Sequence, residues 1–252
     1  MHMRMLQVQV KEKELGSFVK LYEERIMPAL ETVGGCVYAC LVQGIQRSDA
    51  GISMTLWHSE ADALRYEQSG TYKRLVSEAR PFFAESSEWT LQLTKDFTLE
   101  YTQGAVEPTL KSYSVSKTGG ERNLLKELGP HTFLRIVSVH VKPDRFEEYK
   151  RLYEEKIIPT LLAARGCLFS CLSTPGDTTH EAISVTMWNS RADAEEYEQK
   201  GTFDSLLQSV RHTLSGLTQL NMQSAGTRLP SVTSEDVEVD GFHLLLSKRF
   251  TS

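Results

Sequence analysis

The chain has 252 residues, a formal net charge of −5 and 40% apolar side chains. That length suits two domains better than one, and the mild acidity argues against a nucleic-acid binder, which would show a basic stripe. No apolar run approaches the ~18 residues that would mark a membrane span, and the opening MHMRMLQVQV lacks an apolar signal core. A cytoplasmic protein without nucleic-acid or membrane partners is expected.

The first predicted strand is Leu6 to Val10, where LQVQV alternates apolar and polar residues. An amphipathic helix follows over about Glu12 to Thr32, with Leu15, Phe18, Tyr22, Ile26 and Leu30 near helical spacing. Pro28 falls inside it and predicts a kink or an end to the regular part. Two strands come next, Cys36 to Gln43 and Gly51 to Trp57, around a loop with Ser48-Asp49. Ser59 reads as the N-cap of a second helix, with Asp62 where a capping-box acid would sit. That helix is predicted to break at Gly70 and continue to about Phe83, before a fourth strand over Ser87 to Leu99 and a late strand over Thr109 to Ser116.

The same sentence is then spelled again. LYEERIMPAL at 21–30 returns as LYEEKIIPTL at 152–161, a shift of 131 positions. Pro159, Gly166-Cys167, Cys171, Trp188, Ser190, Tyr197, Gly201 and Arg211 fall on Pro28, Gly35-Cys36, Cys40, Trp57, Ser59, Tyr66, Gly70 and Arg80. A period this long marks a duplicated domain rather than a solenoid unit of about 20–50 residues. The second copy predicts strands at Ile136 to Val141, Leu217 to Gln223 and Phe242 to Lys248, the last in the same 131-residue register, and a loop at Pro175-Gly176-Asp177. The Gly-, Lys- and Glu-rich stretch between the copies reads as a linker, giving domains 1–117 and 132–252 with 118–131 between.

Each half reads β-α-β-β-α-β, the ferredoxin-like plan, so the fold class is α+β. In the third strand Ile52, Met54 and Leu56 share one face, and Ser53, Thr55 and Trp57 the other; Ile183, Val185, Met187 and Ser184, Thr186, Trp188 repeat this. We expect the helices on the first face. The tryptophan face is expected to be covered by the other half, so that the two sheets close an intramolecular pseudo-dimeric barrel with each late strand crossing to the partner's edge. The C-x3-C pairs, Cys36/Cys40 and Cys167/Cys171, lie in apolar strand sequence. Residues four apart on a strand share a face but stand about 13 Å apart, too far for one metal or one disulfide. Buried thiols are expected.

The stretch TLWHSEADALRYEQSGTYKRL, residues 55–75, resembles the signature of antibiotic-biosynthesis-monooxygenase-like domains of the dimeric α+β barrel superfamily. The resemblance rests on Trp57, Ser59, Tyr66, Ser69 and Tyr72, and on Trp188, Ser190, Tyr197, Lys200 and Phe203. It implies oxygenation of a small aromatic or quinol with no metal or other cofactor: the deprotonated substrate supplies electrons to oxygen, and the protein holds it and stabilises the phenolate. Tyr66, Arg80, Tyr197 and Arg211 are the candidate catalytic residues; Trp57, Tyr72, Trp188, Phe203 and His212 are the candidate substrate-binding ones. The plain structural alternatives are sheet packing for the tryptophans, core-edge packing for the tyrosines and helix-end charge for the arginines.

The resemblance also has departures. Its haem-degrading branch carries a His iron ligand at the positions held here by Val76 and Leu207, so haem degradation is not expected. The His that other members carry at the place of Tyr66 and Tyr197 is absent from both halves. None of the seven histidines recurs at the 131-residue shift, and no HExxH, GxSxG, Walker or GxGxxG motif is present. The competing expectation is a non-catalytic small-molecule-binding or stress-related protein. Lys200 for Ser69 and Phe203 for Tyr72 also hint at one active and one structural half, and further homo-oligomers are left open.

Overall fold

In a computed structural model, the protein is described over residues 1–93, 99–121, 128–129, 131–175, 180–215 and 237–250. The first half runs β1 (His2–Gln9), α1 (Leu15–Leu21), a π-helical turn (Tyr22–Ile26), α2 (Met27–Glu31), β2 (Cys36–Gly44), β3 (Ala50–Trp57), α3 (Glu60–Gln68) and α4 (Thr71–Ala79). A hairpin of β4 (Glu85–Leu93) and β5 (Leu99–Ala105) precedes β6 (Thr109–Gly119). The second half repeats the plan as β7 (Phe133–His140), α5 (Phe146–Leu152), a π turn (Tyr153–Ile157), α6 (Ile158–Ala163), β8 (Cys167–Pro175), β9 (Glu181–Trp188), α7 (Arg191–Gln199), α8 (Thr202–Val210) and β10 (Val237–Arg249). The expected strand at Leu217 to Gln223 and the loop residues Gly176 and Asp177 lie outside the described residues.

Local rules explain these boundaries. Pro28 lacks an N–H and its ring crowds the carbonyl four residues back. The turn just before it is π-helical, with N–H groups reaching back five residues, and the same turn precedes Pro159. The Ser59 and Ser190 hydroxyls accept from the N–H of Asp62 and Asp193, each at 3.2 Å, as the capping reading requires. Gly70 and Gly201 interrupt the second helix at φ +78° and +72°, where a side chain would be strained.

Eight strands close into a barrel in the order β1-β3-β2-β10-β7-β9-β8-β6. Each late strand serves both halves: β6 pairs with β1 through its first residues and with β8 through its last, and β10 pairs likewise with β7 and β2. No strand of the barrel is left with an open edge. Bulges at Val115/Lys117 and Leu244/Leu246 mark where each late strand runs along the other half. β6 begins at the expected Thr109 and runs past Ser116 to Gly119, β10 begins at Val237, five residues before the expected Phe242, and their register differs from the rest of the repeat. Arg4 faces Ser112, whereas Arg135 faces Gly241, so the late strands correspond at a shift of 129 rather than 131.

Three expectations are corrected. The segment expected to form a fourth strand makes no barrel strand; β4 pairs with β5 outside the barrel. The place beside β1 goes to β6, which alone can also reach β8 and so close the ring. β1 starts at His2 and β7 at Phe133, four and three residues before the expected starts. The faces are also reversed. Ile52, Met54 and Leu56 point into the barrel, where they meet Ile136, Val185 and Met187. Trp57 lies under the helices with Tyr22 and Tyr66, and Trp188 with Tyr153 and Tyr197. The barrel interior is filled by side chains from both halves, Tyr38, Tyr113, Phe169 and Phe242 among them, while the sheet–helix layer takes the indoles, each fully buried.

All four cysteines are buried and free. The bulges between Cys36 and Tyr38 and between Cys167 and Phe169 shift the alternation. Cys36 and Cys167 therefore face the helices and Cys40 and Cys171 the barrel interior, so the members of each pair do not share a face. Among the described residues no helix is long and apolar enough to cross a membrane.

Candidate functional site

A cavity of about 60 Å³ opens between the helix-facing side of the first sheet and the helices above it. Its position follows from strand alternation. On β1 Arg4, Leu6 and Val8 face the helices; on β3 Ser53 and Thr55 do so. Arg4 stands directly opposite Thr55, and Leu6 opposite Ser53. Phe18 and Tyr22 reach down from the first helix, Leu75, Val76 and Ala79 from α4. Val76 supplies an apolar wall at the very position where the resemblance's haem-degrading branch has its iron ligand.

Aromatic packing builds one end of the cavity. Trp57 stacks on Tyr66 with centroids 5.3 Å apart, and Tyr66 meets Tyr72 edge-on at 5.8 Å. The Trp57 indole N–H donates to Thr55 Oγ1 at 2.9 Å. The Tyr22 hydroxyl bonds Ser53 Oγ at 2.7 Å. Burial pushes the Tyr22 and Tyr66 hydroxyls well above the usual phenol range; on Tyr66 the nearby Arg4 charge pulls back the other way. Tyr72, half-buried at the rim, is raised by burial too, again opposed by Arg4. These three phenols hold their protons near neutral pH.

Arg4 is the residue that the sequence reading missed. Its side chain is only 4% exposed, and its guanidinium lies 5.0 Å from the Tyr72 ring centroid and 5.8 Å from that of Tyr66. Nη2 pairs with Glu67 Oε2 at 3.1 Å and Nη1 donates to Ala63 O at 3.4 Å. Nε is buried with no hydrogen-bond partner. The second half reproduces the arrangement: Arg135 pairs with Glu198 at 2.7 Å, lies 4.4 Å from the Phe203 centroid, and has the same unpartnered Nε. Trp188 packs on Tyr197 at 5.1 Å, and Tyr197 on Phe203 at 6.4 Å. Burial lowers the Arg135 pKa, against the pull of Glu198. A signal was present in the sequence: Arg4 and Arg135 coincide at the 131-residue shift, each flanked by apolar residues. The predicted strands began just past them.

The structure brings Trp57, Tyr66 and Tyr72 together, and Trp188, Tyr197 and Phe203 likewise. It does not bring Arg80 to them. Arg80 follows Ala79 in a 3-10 turn, one step further round the helix, and forms a surface ion pair with Glu107. Arg211 occupies the corresponding turn of the second half. His212 is more than half exposed, with Nε2 3.1 Å from Glu148 Oε1, away from the Trp188 cluster. Among the described residues no group of three or more metal-ligating side chains is present.

The family model described as antibiotic biosynthesis monooxygenase matches residues 1–78 and again 132–207. A putative monooxygenase from Fusobacterium nucleatum is similar with a TM-score of 0.66 at 10% identity, over 98% of this chain and 94% of that one. A putative monooxygenase from Lactobacillus acidophilus gives 0.66 at 6% identity, over 98% and 95%. An anthrone oxidase-like protein gives 0.55 at 13% identity, over 100% and 94%. At these identities the likeness is one of fold. No curated protein matches the chain.

Proposed function

The chain belongs to the antibiotic biosynthesis monooxygenase family, and from that premise we propose that its first half binds a small aromatic or quinol beside Arg4 and lets it react with dioxygen without metal or flavin. The observation that carries this reading is Arg4, a buried guanidinium with an unpartnered Nε, in the wall of a cavity lined mostly by apolar and aromatic side chains. A buried donor left unmade costs about 1–3 kcal/mol, and a ligand oxygen placed there would relieve it. Tyr66, backed by the buried Trp57, supplies the stacking surface.

For a quinol the reaction balances without outside electrons. One ring C–H becomes C–OH and the quinol becomes a quinone, each step releasing two electrons. Dioxygen takes all four; one oxygen atom enters the ring and the other leaves as water. The protein's part is to orient the ring and keep bulk water from it. A cavity that holds one benzene ring measures about 150 Å³, so the rim must yield on binding. Tyr72 and Val76 on α4 form that rim, and Gly70 with its open surroundings is the joint about which α4 would move.

One observation favours a second reading, a non-catalytic small-molecule-binding protein: among the described residues no carboxylate or imidazole lines the cavity to take a proton. Oxygen uptake against a panel of quinols separates the two. Uptake by the wild-type protein that is lost in Arg4→Met supports the proposal. No uptake with any quinol leaves the binding reading. Loss in Arg80→Ala or Arg211→Ala with Arg4→Met unaffected would move the site to the helix ends.

A further inference from the structure

We infer that the seam between the first π turn and α4 is the entrance to the first-half cavity, and that the ion pairs of Glu78 with Arg25 and Arg74 form a latch across it that sets how fast a ligand enters. This rests on the reading of the cavity as the ligand site and adds how that site is reached.

Helical spacing puts the latch over the cavity. Tyr22 and Ile26 from the π turn, and Leu75, Val76 and Ala79 from α4, line the roof. Arg25 precedes Ile26 and Glu78 precedes Ala79, so each stands one helical step round from a lining residue. There Arg25 Nη2 pairs with Glu78 Oε2 at 3.2 Å and joins the two helices. Arg74 Nη1 donates to Glu78 Oε1 at 2.9 Å along α4. A single carboxylate thus takes both guanidinium groups.

The second half lacks this device. Lys156, Ser205 and Ser209 hold the places of Arg25, Arg74 and Glu78 at the 131-residue shift. None of the three is an acid, and Ser209 Oγ donates back to Leu206 O of its own helix at 2.6 Å. The π turn and the glycine joint recur in both halves, so the cross-helix pair is an addition to a shared frame.

The other walls part less readily. The floor belongs to β1 and β3, members of the closed ring, where a gap would break a ladder of backbone hydrogen bonds. Opening the seam breaks only pairs that already lie partly in water, with Arg25 and Arg74 more than half exposed, and such pairs are weak. A cavity of about 60 Å³ cannot take a benzene ring, which needs about 150 Å³, so a ligand enters only when the roof yields. α4 begins at Gly70, where nothing stands within 4 Å of the place a Cβ would take. Single π turns inside helices recur at functional sites.

The test follows fluorobenzene by fluorine NMR, which reads its exchange between free and bound states on the full chain. The probe is uncharged, so salt acts on the latch and not on its approach. Glu78→Gln and Arg25→Gln are each expected to raise the entry rate by about two- to fivefold, the range that exposed pairs allow. Raising NaCl from about 0.1 to about 1 M should quicken entry into the wild type and leave Glu78→Gln unchanged. Lys20→Gln breaks a pair with Glu24 within the first helix alone and should keep the wild-type rate. Equal rates in wild type, Glu78→Gln and Arg25→Gln overturn the latch and leave the cavity standing as a binding site. An equal gain in Lys20→Gln also overturns it, since any lost surface charge would then serve. If fluorobenzene binds to none of them, the latch falls and the cavity reading falls with it.

Discussion

Replacing Arg4 with methionine is expected to destroy ligand selection without unfolding the protein. Four terms set the size of the effect. The lost ion pair reaches a Glu67 that is 42% exposed, and such pairs are worth about 0.2–1 kcal/mol. The lost contacts with Tyr66 and Tyr72 are worth about 1 kcal/mol. Against these, the unpartnered Nε disappears, relieving about 1–3 kcal/mol. The thioether regains about 0.3–1.5 kcal/mol against the same rings. The sum lies between a loss of about 0.7 and a gain of about 3.3 kcal/mol. At about 2–4 °C per kcal/mol for a chain of this size, Tm should fall by no more than about 3 °C and can rise by up to about 13 °C in thermal unfolding followed by circular dichroism. A fall of more than about 5 °C would show that Arg4 is a structural brace, and the argument from its unpaired nitrogen would fail. Arg135→Met in the second half should behave alike, since its Nε is unpaired in the same way.

Ala79→Val borrows the residue that the second half already carries as Val210, and should fill part of the cavity. At about 24 cal/mol per Å³ the whole 60 Å³ corresponds to about 1.4 kcal/mol, so a gain of up to that size in urea unfolding is expected, with at least tenfold weaker 4-nitrophenol binding; unchanged binding would place the ligand elsewhere. Thr186→Val deprives the buried Trp188 indole of its acceptor and should lose about 1–3 kcal/mol, accompanied by altered indole emission; a neutral result would contradict the hydrogen bond. Burial pushes the thiols of Cys36, Cys40, Cys167 and Cys171 up to about 12. The folded state thus keeps protons that the unfolded chain releases. Their stabilisation is complete below pH ~9 and is lost as pH rises from about 9 to 12, by up to about 1.4 kcal/mol per thiol per pH unit. Ellman's reagent should find no reactive thiol at pH 8 until denaturant is added, and a Cys→Ala quadruple variant should show a flatter alkaline fall in urea midpoint; a rapidly reacting native thiol would refute the burial.

Much of the local structure was legible because it obeys local rules. Ser59 and Asp62 announce a helix start, Gly70 a break and Pro28 a disturbed turn, and each is found twice because the sentence is written twice. The grouping of an aromatic triad in each half came from the family resemblance that Trp57, Tyr66 and Tyr72 carry. The charged partner of that triad was not, because Arg4 enters from another strand and becomes its neighbour only through the β1–β3 register. Arg80, adjacent in sequence to the cavity wall at Ala79, is turned outward by a single helical step.

The amino-acid order by itself determined the duplication, the sequence of elements and the need for each half to cover an apolar sheet face, since periodicity and capping act over a few residues. Only the tertiary structure decided which face that was. Both faces of β3 are apolar enough to be buried, and the choice is made by closure: the ring turns Ile52, Met54 and Leu56 inward among aliphatic and aromatic residues of both halves, and leaves the indoles to the helices. The same closure gives the place beside β1 to β6 rather than to the expected fourth strand of the first half, because only a strand long enough to pair with both halves can complete the ring.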